Sequence, residues 1–419
     1  MNCDKRFRVT QHRESAKHQK ALRVTAKKPT TQTFIPTTKK DFKAKLVDSF
    51  LSADIPLHKL QNPKIRGLFT DLGQQVPSES ACRDHVQTLA ASEFERIKDL
   101  LRDKTVFMVI DESEISKTKY LNVLVGDTAA PEKTYIVDCS VVEYVNQAVI
   151  AAKVDDTLRN LGVQRNDFLL LLSDAASYMA ACTEALQTLY PRLFHVTCIA
   201  HLLHNCAEKV RSYYADVDNL IARTKAATVK NKGRRTLFQK IGSPPEPVVT
   251  RWGSWLNAAF YYADNLPEVQ KIVNNFHGDG IIVSRAKEAV NSKTIAASLV
   301  NIKRDYKDLP QLISKLESAT CTIYEAHGEL TSLNLFMDSA GIKDYLKKRL
   351  TKNFDFWAIV NMARSNISPA VYAELQRCQP TSAAVERSFS LLRKLLAKDR
   401  HFLPSNVAKY LCVYYNSKY

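Results

Sequence analysis

The chain has 419 residues, 45% hydrophobic and 25% charged, with only 11 Gly and 15 Pro, a mix that builds large buried cores and excludes collagenous or low-complexity chains. Its 60 Lys and Arg against 43 Asp and Glu leave a net charge of +17, a field suited to polyanions, with nucleic acid the leading partner class. No run reaches the roughly 18 apolar residues of a membrane span, and nine scattered cysteines do not read as a secreted disulfide framework, so a soluble intracellular protein is expected.

In chain order, residues 1–45 carry 13 basic and 3 acidic residues, so a basic arm (1–23) precedes a milder body. Residues 24–40, rich in Thr, Lys and Pro with no apolar period, read as a linker. Between 41 and 104 apolar residues recur at helical spacing (Phe42, Leu46, Val47, Phe50, then Val86, Leu89, Ile97), with breaks at Pro56, Pro63 and Pro77, which predicts a small helical region.

The pattern changes at Thr105. The runs TVFMVID, YLNVLV and TYIVDCSVV predict three short strands, close enough in sequence to pair as antiparallel hairpins. A helix over Asn146 to Leu161 then supplies the crossover to FLLLLSD (168–174), a continuous apolar run of the kind a buried central strand shows. A helix at 177–189 and a strand at Phe194–Val196 complete a β-β-β-α-β-α-β-α order. Beyond Cys198 strand signals vanish, and 198–375 reads as helices with basic loops, notably Lys225–Lys240, whose Lys230, Lys232, Arg234 and Arg235 are candidate phosphate contacts. A last helix pair covers Ser382–Ala397 and Pro404–Asn416.

Asp111 and Asp174 each close a predicted strand, at positions that line the ligand crevice of open α/β sheets; a lone strand-end Asp also commonly caps the following turn. Glu386 falls one turn into a helix with the buried stripe Val385, Phe389, Leu392 and Leu396, where by itself it is a dipole-favoured first-turn glutamate with Thr381 or Ser382 as N-cap. Three carboxylates meet at one point only if cations neutralise them, and Mg²⁺ or Mn²⁺ are the ions such oxygens select. Cys198 and His201 lie three apart on a helix beside His195, His204 and Cys206. Ligands on one short helix cannot surround a tetrahedral zinc, so a structural or DNA-facing role is expected. Arg251 and Trp252 follow a turn-rich lead; Trp is usually core, but beside Arg in a basic loop it can stack on an unpaired base.

In that order, Asp111, Asp174, Cys198-Ile-Ala-His201, Arg251-Trp252 and Ser382-Ala-Ala-Val-Glu386-Arg-Ser-Phe-Ser resemble the hAT superfamily of DNA transposases over roughly residues 105–419. The resemblance implies an α/β, RNase H-like mixed sheet (first part 105–212) interrupted by an all-helical insertion (213–374), with C-terminal helices (375–419) that complete the core and dimerise. It implies an acidic triad Asp111, Asp174 and Glu386 holding Mg²⁺ or Mn²⁺, with Cys198, His201, Arg251 and Trp252 handling DNA near the site. At the N-terminus, Cys3, His12 and His18 resemble the latter half of a BED-type or C2H2 finger, an incomplete Zn²⁺ site; a plain basic arm with two histidines is the alternative. Three functions stay open: a nuclear, homo-oligomeric transposase that cleaves and joins DNA; a domesticated, catalytically silent DNA-binding or chromatin protein that dimerises through its C-terminal region; or a dimerising interaction protein that uses only that region.

Overall fold

The computed structural model describes residues 10–19, 39–247, 253–278, 280–318, 320–333, 338–396 and 404–418. Cys3, most of the expected linker and the pair Arg251 and Trp252 therefore lie outside the described residues. A helical lead comprises α1 (Lys39–Ser52), a 3₁₀ turn (Leu57–Gln61), α2 (Pro63–Asp71) and α3 (Glu79–Leu100). The breaks follow the sequence: Asn62 caps α2 through Lys64 N with Pro63 in its first turn, and Ser78 caps α3 through Ala81 N.

Five strands follow: β1 (Val106–Ile115), β2 (Thr118–Asp127), β3 (Tyr135–Val142), then α4 (Gln147–Leu161), β4 (Phe168–Ser173), α5 (Ser177–Leu189) and β5 (Phe194–Thr197). Asn146 caps α4 and Gly162, at φ 75°, ends it in the left-handed conformation that favours glycine. The sheet order is β3-β2-β1-β4-β5. β2 pairs antiparallel with both β1 and β3, and β4 is parallel to both β1 and β5. This is the mixed sheet expected, with the strand leading to Asp174 beside the one carrying Asp111.

One boundary differs. Asp111 does not close β1, which continues to Ile115 because β2 pairs with it all the way to the Ile115–Thr118 hairpin end. Ser116 and Lys117 turn that hairpin with positive φ at both positions (52° and 68°), the two-residue geometry that matches strand twist, reached here without glycine. β4 stops at Ser173, so β1 outruns its parallel neighbour at the level of Asp111.

Side-chain alternation on β1 splits the core. Val106, Met108 and Ile110 face Val154, Leu158 and Met179 of α4 and α5, while Phe107 and Val109 face the helices that follow β5. Those are α6 (Ile199–Tyr213), α7 (Ala215–Thr228), α8 (Lys232–Thr236), α9 (Ser254–Asn274), α10 (Ile281–Val290), α11 (Ile295–Tyr306), α12 (Leu309–Leu316), α13 (Ile323–Ser332), α14 (Ile342–Leu350), α15 (Phe354–Val360) and α16 (Pro369–Arg377). The chain then returns to the sheet: α17 (Ala383–Leu395) packs on β1 and β2, and α18 (Pro404–Asn416) on β3 and α3.

Both edges of the sheet are closed by side-chain amides. On β3, Ile136 N donates to Asn416 Oδ1 at 2.9 Å and Asn416 Nδ2 donates to Ile136 O at 3.1 Å. On β5, Asn353 does the same to Thr197 (3.2 and 3.0 Å), and Asp355 Oδ2 accepts His195 N at 2.6 Å. Each amide stands in for the peptide group of a missing strand, so the edge offers fewer free groups to another chain. Asn416→Leu leaves Ile136 N unpaired and its carbonyl with the Cys412 thiol at 3.4 Å, and is expected to cost about 1–3 kcal/mol in urea unfolding; an unchanged midpoint would show that the edge is satisfied some other way.

Candidate metal centre

The centre is built where β1 outruns β4 and two helix N-termini arrive together. Asp111 projects from β1, its Oδ1 accepting Glu112 N at 2.8 Å. Asp174 follows the end of β4 and caps the turn into α5, with Oδ1 accepting Ala176 N at 3.2 Å. α6 starts directly after β5, with Cys198 as its N-cap, and α17 starts at Ser382.

The Cys198 sulfur joins the two helices. It accepts His201 N at 3.5 Å within its own helix and Ser382 N at 3.2 Å from the other, while Ile199 N donates to Pro380 O at 3.1 Å. Ser382 is the N-cap residue of α17 as expected, but its hydroxyl makes no capping bond there. It lies 3.3 Å from His201 Nδ1 instead. This clamp aims His201 at the acids: His201 Nε2 is 3.6 Å from Glu386 Oε1.

Asp111, His201 and Glu386 each place one ligand atom within 4.8 Å of the others, the one such group of three among the described residues. Of the three expected acids, Asp111 and Glu386 thus come together, and the third corner is His201. Asp174 stands outside that group of ligand atoms yet near enough for its charge to act on Asp111. Two carboxylates and an imidazole fit a divalent ion of intermediate hardness; Mn²⁺ accepts that mixed set more readily than Mg²⁺, which prefers oxygen.

Electrostatics show what the cluster does by itself. Burial pushes the Asp111 carboxyl well above the usual range, Glu386 and Asp174 push it further, and His201 pulls against them. Burial would depress His201, but the Cys198 sulfur, Asp111 and Glu386 outweigh it and carry the imidazole up to about 10. Burial likewise raises the Cys198 thiol, and its hydrogen bonds with His201 and Ser382 reverse the sign, leaving it lowered. A protonated imidazole therefore balances the acids. His195 behaves differently: burial alone takes it down to about 4, and its Nε2 sits 2.8 Å from Ser173 Oγ, a neutral residue of the sheet and not of the centre.

The other expected contacts are scattered. Cys198, expected to handle DNA, is 2% exposed and serves the helix clamp. Lys230, just before α8, and Lys232, its first residue, are exposed, but Arg234 is a structural residue. Its guanidinium donates to Ala227 O (3.2 Å) and His277 O (3.0 Å) and lies over the Phe276 ring at 5.5 Å. Arg235 pairs with Glu246, as does Lys225 at 3.7 Å, so an acid from outside the basic run partly neutralises it. The His12 and His18 rings stand 4.9 Å apart. Sequence reasoning passed over Trp255, which reads as core. Its Nε1 donates to Asp218 Oδ1 at 2.9 Å, and with Arg211, His204 and Lys225 it lines a cleft of about 320 Å³ one helical turn beyond His201. No family model and no curated protein matches the chain.

Asp111 and His201 both bind protons more tightly in the folded state than in the unfolded one, so their share of stability falls as pH rises, while the lowered Cys198 thiol contributes in the opposite sense. The His201 share is complete below its ordinary value of 6.5 and is lost as pH approaches about 10. In EDTA the Tm of the wild type should drop across that window, and the drop should shrink in His201→Gln. Mn²⁺ at about 100 times its Kd should restore about 2.7 kcal/mol at mildly alkaline pH. A pH dependence of Tm that His201→Gln leaves unchanged would mean that the imidazole is not charged by its neighbours.

Proposed function

We propose that the chain is a transposase-type or transposase-derived DNA-binding protein with an RNase H-like core, in which Asp111, Glu386 and their neighbours support divalent-ion-dependent phosphodiester hydrolysis and strand transfer. One observation carries this reading: Glu386, far from Asp111 in sequence, returns on α17 until its carboxylate lies within ligand distance of both Asp111 and His201. Burying like charges together is unfavourable without a shared cation. The hAT-like order of motifs, the mixed sheet and the net charge of +17 support the same reading.

When bound, Mg²⁺ or Mn²⁺ would supply an activated oxygen nucleophile and charge neutralisation at the leaving oxygen. The protein's part is positional. Asp111 is held by the sheet and by Glu112 N, and Glu386 by a helix clamped at Cys198. His201 Nε2, its proton lost to solvent, would either offer its lone pair to the ion or accept a proton from the attacking water or 3′-OH. Asp174, already ordered by Ala176 N, is the additional carboxylate within reach of the site's charge. Lys230 and Lys232 draw the phosphate backbone toward a surface whose centre would otherwise repel it.

A specific feature favours a second reading, the catalytically silent DNA-binding protein that dimerises through residues 375–419. The protonated His201 balances Asp111 and Glu386 without any ion, so the cluster is also a self-sufficient ion pair. Nicking of supercoiled DNA separates the two. The wild type should nick in Mn²⁺ and not in EDTA, and Asp111→Asn should lower the rate by about 100-fold or more while DNA binding persists. A folded, DNA-bound wild type that never nicks in Mn²⁺ would leave the silent binder.

A further inference from the structure

Behind the metal centre lies a fully buried polar contact in a largely apolar interface. On β2 every residue from Tyr120 to Gly126 is buried, and among them Asn122, with no exposed surface, is the polar exception. Asn122 stands directly opposite Asp111 in the β1–β2 register, and residues so paired share a face of the sheet. Asn122 Nδ2 donates to Ser388 Oγ at 2.7 Å, and Ser388 Oγ in turn donates to Val385 O at 2.6 Å. Ser388 is also fully buried. The relay therefore ends on the carbonyl of the residue preceding Glu386.

We infer that Asn122, through Ser388, is a positioning residue for Glu386; this rests on the metal-dependent reading above. The physical reason is the nature of the α17 contact. Val385, Phe389 and Leu392 pack α17 against the sheet, and apolar packing is not directional: small rotations of a helix about its axis change it little. On a helix each residue advances by about 1.5 Å and about 100°, so a modest rotation swings Glu386 away from Asp111. Directional contacts oppose it: Arg393 Nη2, late in α17, donates to Ser113 Oγ of β1 at 3.1 Å, and two more lie on either side of Glu386. Ser382 fixes the start of the helix to Cys198 and His201, and Ser388, two residues beyond Glu386, fixes the next turn to β2.

Stability alone gives no motive for the amide. Asn122 Oδ1 is buried and accepts no hydrogen bond among the described residues, so an apolar side chain of similar volume would remove an unsatisfied group. Ser388 would keep its bond to Val385 O after such a change. What disappears is the tie between the strand that faces Asp111 and the turn that carries Glu386. Partners one step removed from a metal ligand typically change affinity 10- to 100-fold, about the size expected here.

The test is Mn²⁺ binding to the full chain, by calorimetry and by the loss of the free-ion signal in electron paramagnetic resonance. Asn122→Leu should keep or raise the Tm and weaken Mn²⁺ binding about 10-fold. Ser388→Ala should weaken it to a similar degree, and the double variant no further, because both changes cut one connection. Ser388→Ala also carries the test if Asn122→Leu does not fold. Unchanged Mn²⁺ affinity in the folded single variants, or losses that add in the double, would overturn the inference. If the wild type itself binds no Mn²⁺, the metal reading fails and takes this inference with it. Wild-type binding that Asp111→Asn abolishes and Asn122→Leu spares overturns the positioning role alone.

Discussion

A carboxyl group buried among like charges demands a positive partner, and the arrangement around Asp111 follows from that demand. Glu386 and Asp174 raise the cost of its ionisation, and His201 offsets it. The N-termini of α6 and α17 converge on the same place, each bringing the positive end of a helix dipole and N–H groups with no acceptor in their own helix. The Cys198 sulfur, lowered in pKa chiefly by the His201 side chain and then by Ser382, takes one N–H from each helix. A single thiol thereby brings a residue just after β5 into register with one that arrives after the entire helical body.

The return of α17 would be imprecise if the chain between β5 and α17 were loosely attached. It is attached to the sheet at several points. Asn353 and Asp355 close the β5 edge, and Arg364 lies 4.0 Å over the Phe194 ring while donating to Leu193 O at 2.8 Å and Asp355 Oδ1 at 2.6 Å. Glu374 on α16 accepts both Thr105 (3.1 Å) and Thr128 (2.9 Å), at the opposite end of β1 from Asp111. Directional bonds to strand ends and edges thus fix the helical body, and the apolar stripe of α17 completes the layer.

Much of this was legible because it depends on local chemistry. The run Phe168–Ser173 is buried along its whole length, as continuous apolar strands are when both faces are covered. Asn146 and Gly162 bound their helix as a cap and a left-handed stop should. The less legible features all depend on partners remote in sequence. β1 outlasts its apolar stretch because β2 pairs with the polar Glu112–Ile115 segment, through a turn whose Ser and Lys give no glycine signal. Arg234 reads as a phosphate contact until Ala227 O, His277 O and the Phe276 ring claim it. His201 reads as part of a helix face until Ser382, 181 positions later, turns it toward Glu386, so the third corner of the centre had no local signature beyond its spacing from Cys198.

The most direct measurement is the anomalous difference map of crystals of the full chain grown with Mn²⁺ at mildly alkaline pH. A peak about 2–2.4 Å from carboxylate oxygens of both Asp111 and Glu386, with His201 Nε2 turned to the ion or displaced from Glu386, is the expected result. Ordered Asp111 and Glu386 side chains with no peak between them, and His201 still seated against Glu386 at saturating Mn²⁺, would contradict a divalent-ion centre and leave a half-buried ion pair in its place.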